Sequence, residues 1–225
     1  MPTQATPGRL TARPGGPGKE GARGLHRFRL EAGREAMLLV PEGYRADRPA
    51  PLAVMLHGAG GDARQGISLF REPAEAAGAL LLAPKSRHSS WDVIRAGYGP
   101  DVASLDQALE QVFAGWTVDP ERVAVCGFSD GASYALSLGI TNGDLFTHII
   151  AFSPGFVAPA ARPDSPRIYV SHGKDDQVLP IAACSRKLVP SLRRAGYDVH
   201  YTEFDGGHAV PPEIAQAARE WWMAQ

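Results

Sequence analysis

The chain has 225 residues, of which 44% are hydrophobic and 21% are charged, a composition typical of one soluble globular domain. Its formal net charge of -1 gives no electrostatic basis for binding DNA, RNA or an anionic membrane surface. No apolar stretch approaches the roughly 20 residues that a membrane-spanning helix requires, so we expect no membrane span.

The first 24 residues differ in composition from the rest of the chain. They contain ten Gly or Pro residues and no apolar run. Such a segment cannot bury enough surface to offset its ordering entropy, so we predict a flexible tail over 1–24 and a folded domain over 25–225. The segment also lacks the apolar core of a secretory signal, and we therefore expect a cytoplasmic protein.

Eight strand-like segments follow in chain order. The third and fifth are almost continuously apolar, as expected for strands of a parallel sheet that is covered on both faces. No helix separates the first two, so we expect them to form an antiparallel edge of the sheet. The predicted strands are 26–31, 36–40, 52–57, 79–83, 122–127, 148–153, 167–172 and 200–204.

Helical patterns alternate with these strands. They cover residues 102–113, 133–140, 181–195 and 213–223. This alternation predicts an α/β fold with a doubly wound, mostly parallel eight-stranded sheet flanked by helices. A domain of about 200 residues leaves no room for a large cap domain.

Cysteine and histidine spacing gives no sign of a metal site. Cys126 and Cys184 are expected to be free, buried thiols. The seven histidines are scattered along the chain, and none has the spacing of a zinc ligand. We therefore expect no metal and no cofactor.

The sequence GFSDG at 127–131 is the central chemical feature. An apolar strand leads into it and an apolar helical pattern follows, which is the context of a nucleophile elbow. The strained turn places the Ser129 hydroxyl above the sheet edge, and the helix that begins there favours developing negative charge. We predict Ser129 as the nucleophile.

A serine nucleophile needs a base, and His208 is the best candidate. It follows the last predicted strand, and Gly206 and Gly207 give its loop freedom to reach the carboxyl edge of the sheet. His57 and His172 also end predicted strands, and we interpret them as histidines that orient loop backbone.

The imidazole in turn needs a carboxylate. Asp175 and Asp176 both follow the seventh strand, in the chain order Ser, Asp, His, and this reasoning leaves the choice between them open. Asp205 is a weaker candidate because it lies only three residues before His208.

Two backbone N–H groups are expected to bind the oxyanion. One belongs to Asp130, directly after the nucleophile, and the other to Ala59 in the glycine-rich loop that follows the third strand. Gly60 is the next choice in that loop. The loop lacks the pattern of a phosphate-binding loop, so we expect no nucleotide binding.

At these residues the chain resembles the α/β-hydrolase superfamily, and more specifically its small phospholipase/carboxylesterase branch, which includes acyl-protein thioesterases. The resemblance covers nearly all of residues 25–225. It implies that the acid is the fifth residue of the block that begins at His172, which is Asp176. The chain departs from the branch at Asp130, where the branch often has Gln. Four blocks carry the resemblance: MLHGAGG at 55–61, GFSDG at 127–131, HGKDDQVLP at 172–180 and GGH at 206–208.

The resemblance implies two-step acyl transfer by Ser129, His208 and Asp176 on a small-molecule ester. An open pocket without a large cap domain suits acyl chains of short to medium length. The alternatives are a lysophospholipase or thioesterase, a polyester depolymerase, and a hydrolase-fold binding protein without turnover. Five residues are expected to line the substrate pocket: Gly60, Trp91, Phe156, Val178 and Leu179.

Overall fold

The structure is a computed structural model that describes residues 6–16, 20–95 and 97–224. Its eight strands form one sheet in the order β1-β2-β4-β3-β5-β6-β7-β8. The strands are β1 (Gly24–Leu30), β2 (Arg34–Val40), β3 (Ala50–Leu56), β4 (Leu80–Pro84), β5 (Val118–Phe128), β6 (His148–Phe152), β7 (Arg167–Gly173) and β8 (Val199–Phe204).

The predicted mostly parallel sheet is confirmed, including its antiparallel edge. β1 pairs with β2 in an antiparallel hairpin that turns through Glu31–Gly33, and β2 runs antiparallel to β4. The remaining neighbours are parallel, so the carboxyl ends of β3 to β8 meet at one edge of the sheet.

Helices cover both faces of the sheet, as expected for a doubly wound fold. The helices are α1 (Ala63–Ala77), α2 (Asp92–Arg95), α3 (Pro100–Gly115), α4 (Asp130–Thr141), α5 (Ser185–Arg194) and α6 (Pro212–Met223). Apolar residues of α3, α4 and α5 form a core on one face, while those of α1 and α6 form a core on the other. No large cap domain is present within the described ranges.

The sequence prediction does not include α1, a helix of 15 residues. Its buried residues Ile67, Phe70 and Ala74 recur at helical spacing, and its ends are capped by the Asp62 side chain and by Gly78 in the left-handed conformation. Pro73 lies inside the helix. Because an internal proline costs about 3 kcal/mol, it is a sequence signal against a helix, and burial of the apolar face offsets it here.

The described parts of the N-terminal segment are residues 6–16, which are folded onto the domain, and residues 20–24, which lead into β1, and this corrects the predicted flexible tail over 1–24. Leu10 is 2% exposed and belongs to the core that α3 and α4 share with the sheet. Residues 1–5 and 17–19 of the predicted tail lie outside the described residues.

Polar contacts hold this segment where its composition offers few apolar ones. The buried Asn142 side chain accepts the N–H of Leu10 and donates to the carbonyl of Gly8, both at 2.8 Å. Arg9 forms an ion pair of 2.6 Å with Asp144. These hydrogen bonds and this ion pair stabilise the folded position of the segment. The low apolar content of the segment gave no sign of them.

Two smaller findings complete the fold. Cys126 and Cys184 are free and buried, as predicted, and burial raises the pKa of both thiols. Within the described ranges, none of the helices combines the length and apolarity needed to cross a membrane.

Candidate active site

Three predicted side chains meet at the carboxyl edge of the sheet, although they lie far apart in the chain. The Nε2 atom of His208 lies 2.8 Å from the Ser129 hydroxyl, and its Nδ1 atom lies 2.6 Å from a carboxylate oxygen of Asp176. A carboxylate only accepts, so Nδ1 carries the proton and Nε2 is free to accept from the serine. The result is a continuous chain of hydrogen bonds from Ser129 to Asp176.

Ser129 occupies a strained turn between β5 and α4. Its φ of 58° and ψ of -120° lie in a region of backbone conformation that residues other than glycine rarely adopt. A side-chain carbon on Gly127 would overlap the carbonyl oxygen of Gly131, and one on Gly131 would overlap the carbonyl oxygen of Leu56. Only glycine at both positions therefore allows the strand, the turn and the helix to approach this closely.

Asp176 is buried in the loop after β7. One of its oxygens accepts the N–H groups of Val178 and Leu179, at 2.9 and 2.8 Å. Burial raises the pKa of this carboxyl, but the hydrogen bonds from His208 and from the loop backbone outweigh it, so the pKa lies below its ordinary value. Asp176 is therefore ionised at neutral pH.

The other two acidic candidates lie elsewhere. Asp175 is exposed, and Asp205 forms an ion pair of 2.7 Å with Lys174. Of the three carboxylates that the sequence offered, only Asp176 contacts His208.

A second, fully buried histidine supports Asp176. The Nε2 atom of His172 lies 2.8 Å from the carbonyl of Leu179 and 3.2 Å from Asp176, while its Nδ1 atom lies 2.6 Å from the Ser185 hydroxyl. Burial lowers the pKa of His172. This histidine is thus neutral and holds the loop that carries the acid, as its predicted backbone-orienting role requires.

Two backbone N–H groups near Ser129 have no acceptor among the described residues. Asp130 is the first residue of α4, so its N–H has no acceptor within the helix. The loop at Gly58 lies against Ser129, and within the described part of the chain nothing accepts the N–H of the next residue, Ala59. The N–H of Gly60 donates to the carbonyl of Ser89 at 2.5 Å, so it is not available to a ligand.

His57 and Trp91 hold the backbone of this loop through hydrogen bonds. His57 is fully buried, donates from Nδ1 to the carbonyl of Gly58 at 2.7 Å, and accepts the N–H of Ser86 at Nε2. Burial lowers its pKa, so it is neutral. The indole of Trp91 donates to the carbonyl of His57 at 2.9 Å and stacks on Tyr134. Trp91 is 1% exposed, which corrects its predicted place in the pocket wall, because it packs under the loop instead.

The remaining predicted pocket residues lie at the surface. Val178 is 65% exposed, and Phe156 and Leu179 are half-buried. The hydroxyl of Ser133, one helical turn after Ser129, accepts the N–H of Gly155 at 2.9 Å and so anchors the loop that carries Phe156. The apolar side chains of Phe156, Val178 and Leu179 are therefore at least partly open to solvent.

Two residues in the site were missed by the sequence reasoning. Ser133 anchors the loop just described, and the Ser90 hydroxyl donates to the Asp130 carboxylate at 2.5 Å. For Ser133 the spacing of four residues from Ser129 on one helix face was an available signal. Ser90 belongs to no motif, and only the fold places it beside Asp130.

Comparison with known proteins gives a consistent picture. A family model described as Phospholipase/Carboxylesterase matches residues 100–223. The chain is 29% identical to "Probable feruloyl esterase C" of Aspergillus niger over 167 residues, or 71% of this chain and 60% of that protein. It is 36% identical to "Acetylxylan esterase" of Coprinopsis cinerea over 112 residues, or 44% of this chain and 29% of that protein. The chain thus spans at most about 60% of the length of these two curated relatives.

Solved structures show the same fold. The crystal structure of esterase PE8 superposes with a TM-score of 0.67 and 26% identity, covering 82% of this chain and 95% of that one. S-formylglutathione hydrolase from Staphylococcus aureus superposes with a TM-score of 0.70, covering 90% and 98%. Its identity of 14% makes it a likeness of fold alone.

Proposed function

Since the chain belongs to the phospholipase/carboxylesterase family of α/β-hydrolases, we propose that it is a serine hydrolase that cleaves carboxylic esters through an acyl-enzyme intermediate. The observation that carries the proposal is the hydrogen-bonded chain from Ser129 through His208 to Asp176, at 2.8 and 2.6 Å. This is the arrangement in which a neutral imidazole can remove the proton from a serine hydroxyl.

In the first step Ser129 attacks the ester carbonyl while His208 takes its proton at Nε2. The ionised Asp176 stabilises the imidazolium that forms. The N–H groups of Asp130 and Ala59 donate to the oxyanion of the tetrahedral intermediate, and each such donor contributes about 10²- to 10³-fold in rate. His208 then gives its proton to the departing alcohol oxygen, which leaves the acyl group on Ser129.

In the second step water enters, His208 removes one of its protons, and the resulting attack on the acyl carbon forms a second tetrahedral intermediate. Its collapse releases the carboxylic acid and returns the proton to Ser129. The neutral His57 and His172 do not compete for protons in this cycle, because burial lowers the pKa of both.

The partly exposed apolar side chains of Phe156, Val178 and Leu179 suit an acyl group of short to medium length, as no cap domain within the described ranges adds to them. An aromatic acyl group is a second candidate. The observation that favours it is the series of similar proteins named feruloyl esterase C.

The test is hydrolysis of p-nitrophenyl esters from acetyl to palmitoyl and of methyl ferulate, comparing the wild type with Ser129→Ala. We expect turnover that is highest for short and medium chains and that falls by about 10³-fold or more in the variant. A folded wild type that hydrolyses none of these esters would contradict the proposal and favour a binding protein without turnover.

A further inference from the structure

The segment from Ser86 to Trp91, which follows β4, contacts the oxyanion side of the site at several points. The carbonyl of Ser89 accepts the N–H of Gly60 at 2.5 Å, directly after the free N–H of Ala59. The Ser86 N–H and the Trp91 indole both bond to His57, which in turn holds Gly58. The loop that presents the first oxyanion donor is therefore fixed by this one segment.

The same segment also reaches the second donor. The Ser90 hydroxyl donates to the Asp130 carboxylate at 2.5 Å across 40 residues of sequence, and Ser90 is 8% exposed. Asp130 is the first residue of α4 and directly follows Ser129, and its backbone N–H is the second proposed donor. Ser89 thus contacts the loop that carries the Ala59 N–H, and the adjacent Ser90 contacts the residue that carries the other N–H, Asp130.

We propose that Ser90 is a positioning residue for ester hydrolysis, and that its bond to Asp130 fixes the spacing between the N–H groups of Ala59 and Asp130. This inference rests on the proposed function. A hydroxyl-to-carboxylate bond is charge-assisted and stronger than a neutral one, which suits a contact that must hold a loop against a helix. Donor strength falls steeply with distance and angle, so loss of this bond weakens oxyanion stabilisation without removing either donor.

The contact gives the acidic side chain at position 130 a partner. A carboxylate beside a developing oxyanion raises the energy of the transition state, and the hydrogen bond from the neutral Ser90 hydroxyl orients this carboxylate without cancelling its charge. The acceptor role itself needs only an oxygen, so asparagine at position 130 can keep the bond while removing the charge.

The first test compares Ser90→Ala with the control Ser68→Ala, which removes an exposed hydroxyl that donates to the carbonyl of Gln65 within α1. We expect kcat of Ser90→Ala on p-nitrophenyl acetate to fall by about 10- to 100-fold with KM within about twofold, while the control stays near the wild type. The Ki of an alkylboronic acid, which forms a tetrahedral adduct on the serine, should rise by a similar factor. Titration of active sites with a fluorophosphonate corrects for any unfolded protein.

The second test is a double-mutant cycle. Asp130→Asn keeps an acceptor oxygen and should therefore retain more of kcat than Asp130→Ala, Asp130→Ala should resemble Ser90→Ala, and the variant with alanine at both positions should be no worse than either alone. The proposal is overturned if kcat and Ki of Ser90→Ala match those of the control, or if the two losses multiply. Failure of the proposed function would look different, since the wild type itself would then show no turnover.

Discussion

The two sides of the candidate active site each contain one fully buried, neutral histidine, but these histidines hold different kinds of group. On the acid side, His172 contacts Asp176 and the carbonyl of Leu179, so it supports a charged side chain. On the oxyanion side, His57 bonds to Gly58 and Ser86, so it supports a length of bare backbone. Both histidines have a lowered pKa because of burial.

This difference follows from the chemistry that each side is proposed to supply. The acid side must stabilise an imidazolium, which needs a full negative charge held by strong donors. The oxyanion side must donate N–H groups at a fixed spacing, which needs rigid backbone with little side-chain bulk. Substitutions on the acid side should therefore act on charge and tautomer, and those on the oxyanion side on packing and distance.

The largest expected effect comes from removing the charge on the acid side. Asp176→Asn keeps the shape of the side chain but removes the charge that fixes the His208 tautomer, so we expect kcat to fall by about 10⁴-fold. The matched control is Asp175→Asn, which changes the exposed neighbouring carboxylate and should leave kcat near the wild-type value. Steady-state kinetics on p-nitrophenyl acetate measures both. Equal losses in the two variants would contradict the assignment of Asp176.

The next largest effect is expected from a substitution that adds a methyl group to the tightly packed oxyanion side. A methyl group at Gly131 would overlap the carbonyls of Leu56 and His57, so Gly131→Ala should lower the free energy of unfolding by about 3 kcal/mol or more. Gly115→Ala in α3 is the control, because a methyl group there meets open space and helix propensity favours Ala by up to about 1 kcal/mol. Urea unfolding measures both changes, and a Gly131→Ala variant as stable as the wild type would refute the close approach.

The smallest expected effect is a pH dependence of stability that comes from the buried histidine on each side. Because His57 and His172 have folded-state pKa values below that of an unfolded histidine, the unfolded chain binds more protons in mild acid. Stability should therefore be fully present above about pH 6.5 and fall as the pH decreases below it. Urea unfolding at about pH 7.5 and about pH 4.5 measures this fall, and equal stability at both values would contradict it.

A third buried histidine must be separated from these two. Burial, with the nearby charges of Arg167 and Arg122, lowers the pKa of His148 to about 4. His148 lies at the start of β6, at the opposite edge of the sheet, and should contribute at least about 1 kcal/mol to the fall. His148→Asn removes that part, and the loss that remains in this variant includes the contributions of His57 and His172.

The sequence predicted the sheet better than the helices and the N-terminal segment. Strands buried on both faces are nearly continuous apolar runs, and these stand out in any reading of the chain. The α1 helix carries Pro73, an adverse local signal that tertiary burial outweighs. Residues 6–16 are held chiefly by long-range partners such as Asn142 and Asp144, which composition cannot reveal.

In the site, the sequence predicted the residues that belong to motifs and missed those that depend on three-dimensional neighbours. The strained turn at Ser129 follows from its flanking glycines, whereas the choice of Asp176 over Asp175 depended on the resemblance of the block that begins at His172 to the family. Trp91 was misplaced because a large aromatic residue near the sheet edge can face a pocket or pack under a loop, and only the contact with His57 decides. Ser90 acquires its partner through the fold.

The most direct test of the central claim is mass spectrometry of the intact protein and of its proteolytic peptides after reaction with a fluorophosphonate, which phosphonylates activated serines. We predict a single adduct on the peptide that contains Ser129, strongly slowed labelling in Asp176→Asn, and none in Ser129→Ala. An adduct on another residue, or a folded wild type that remains unlabelled, would contradict the account of Ser129 as a nucleophile activated by His208 and Asp176.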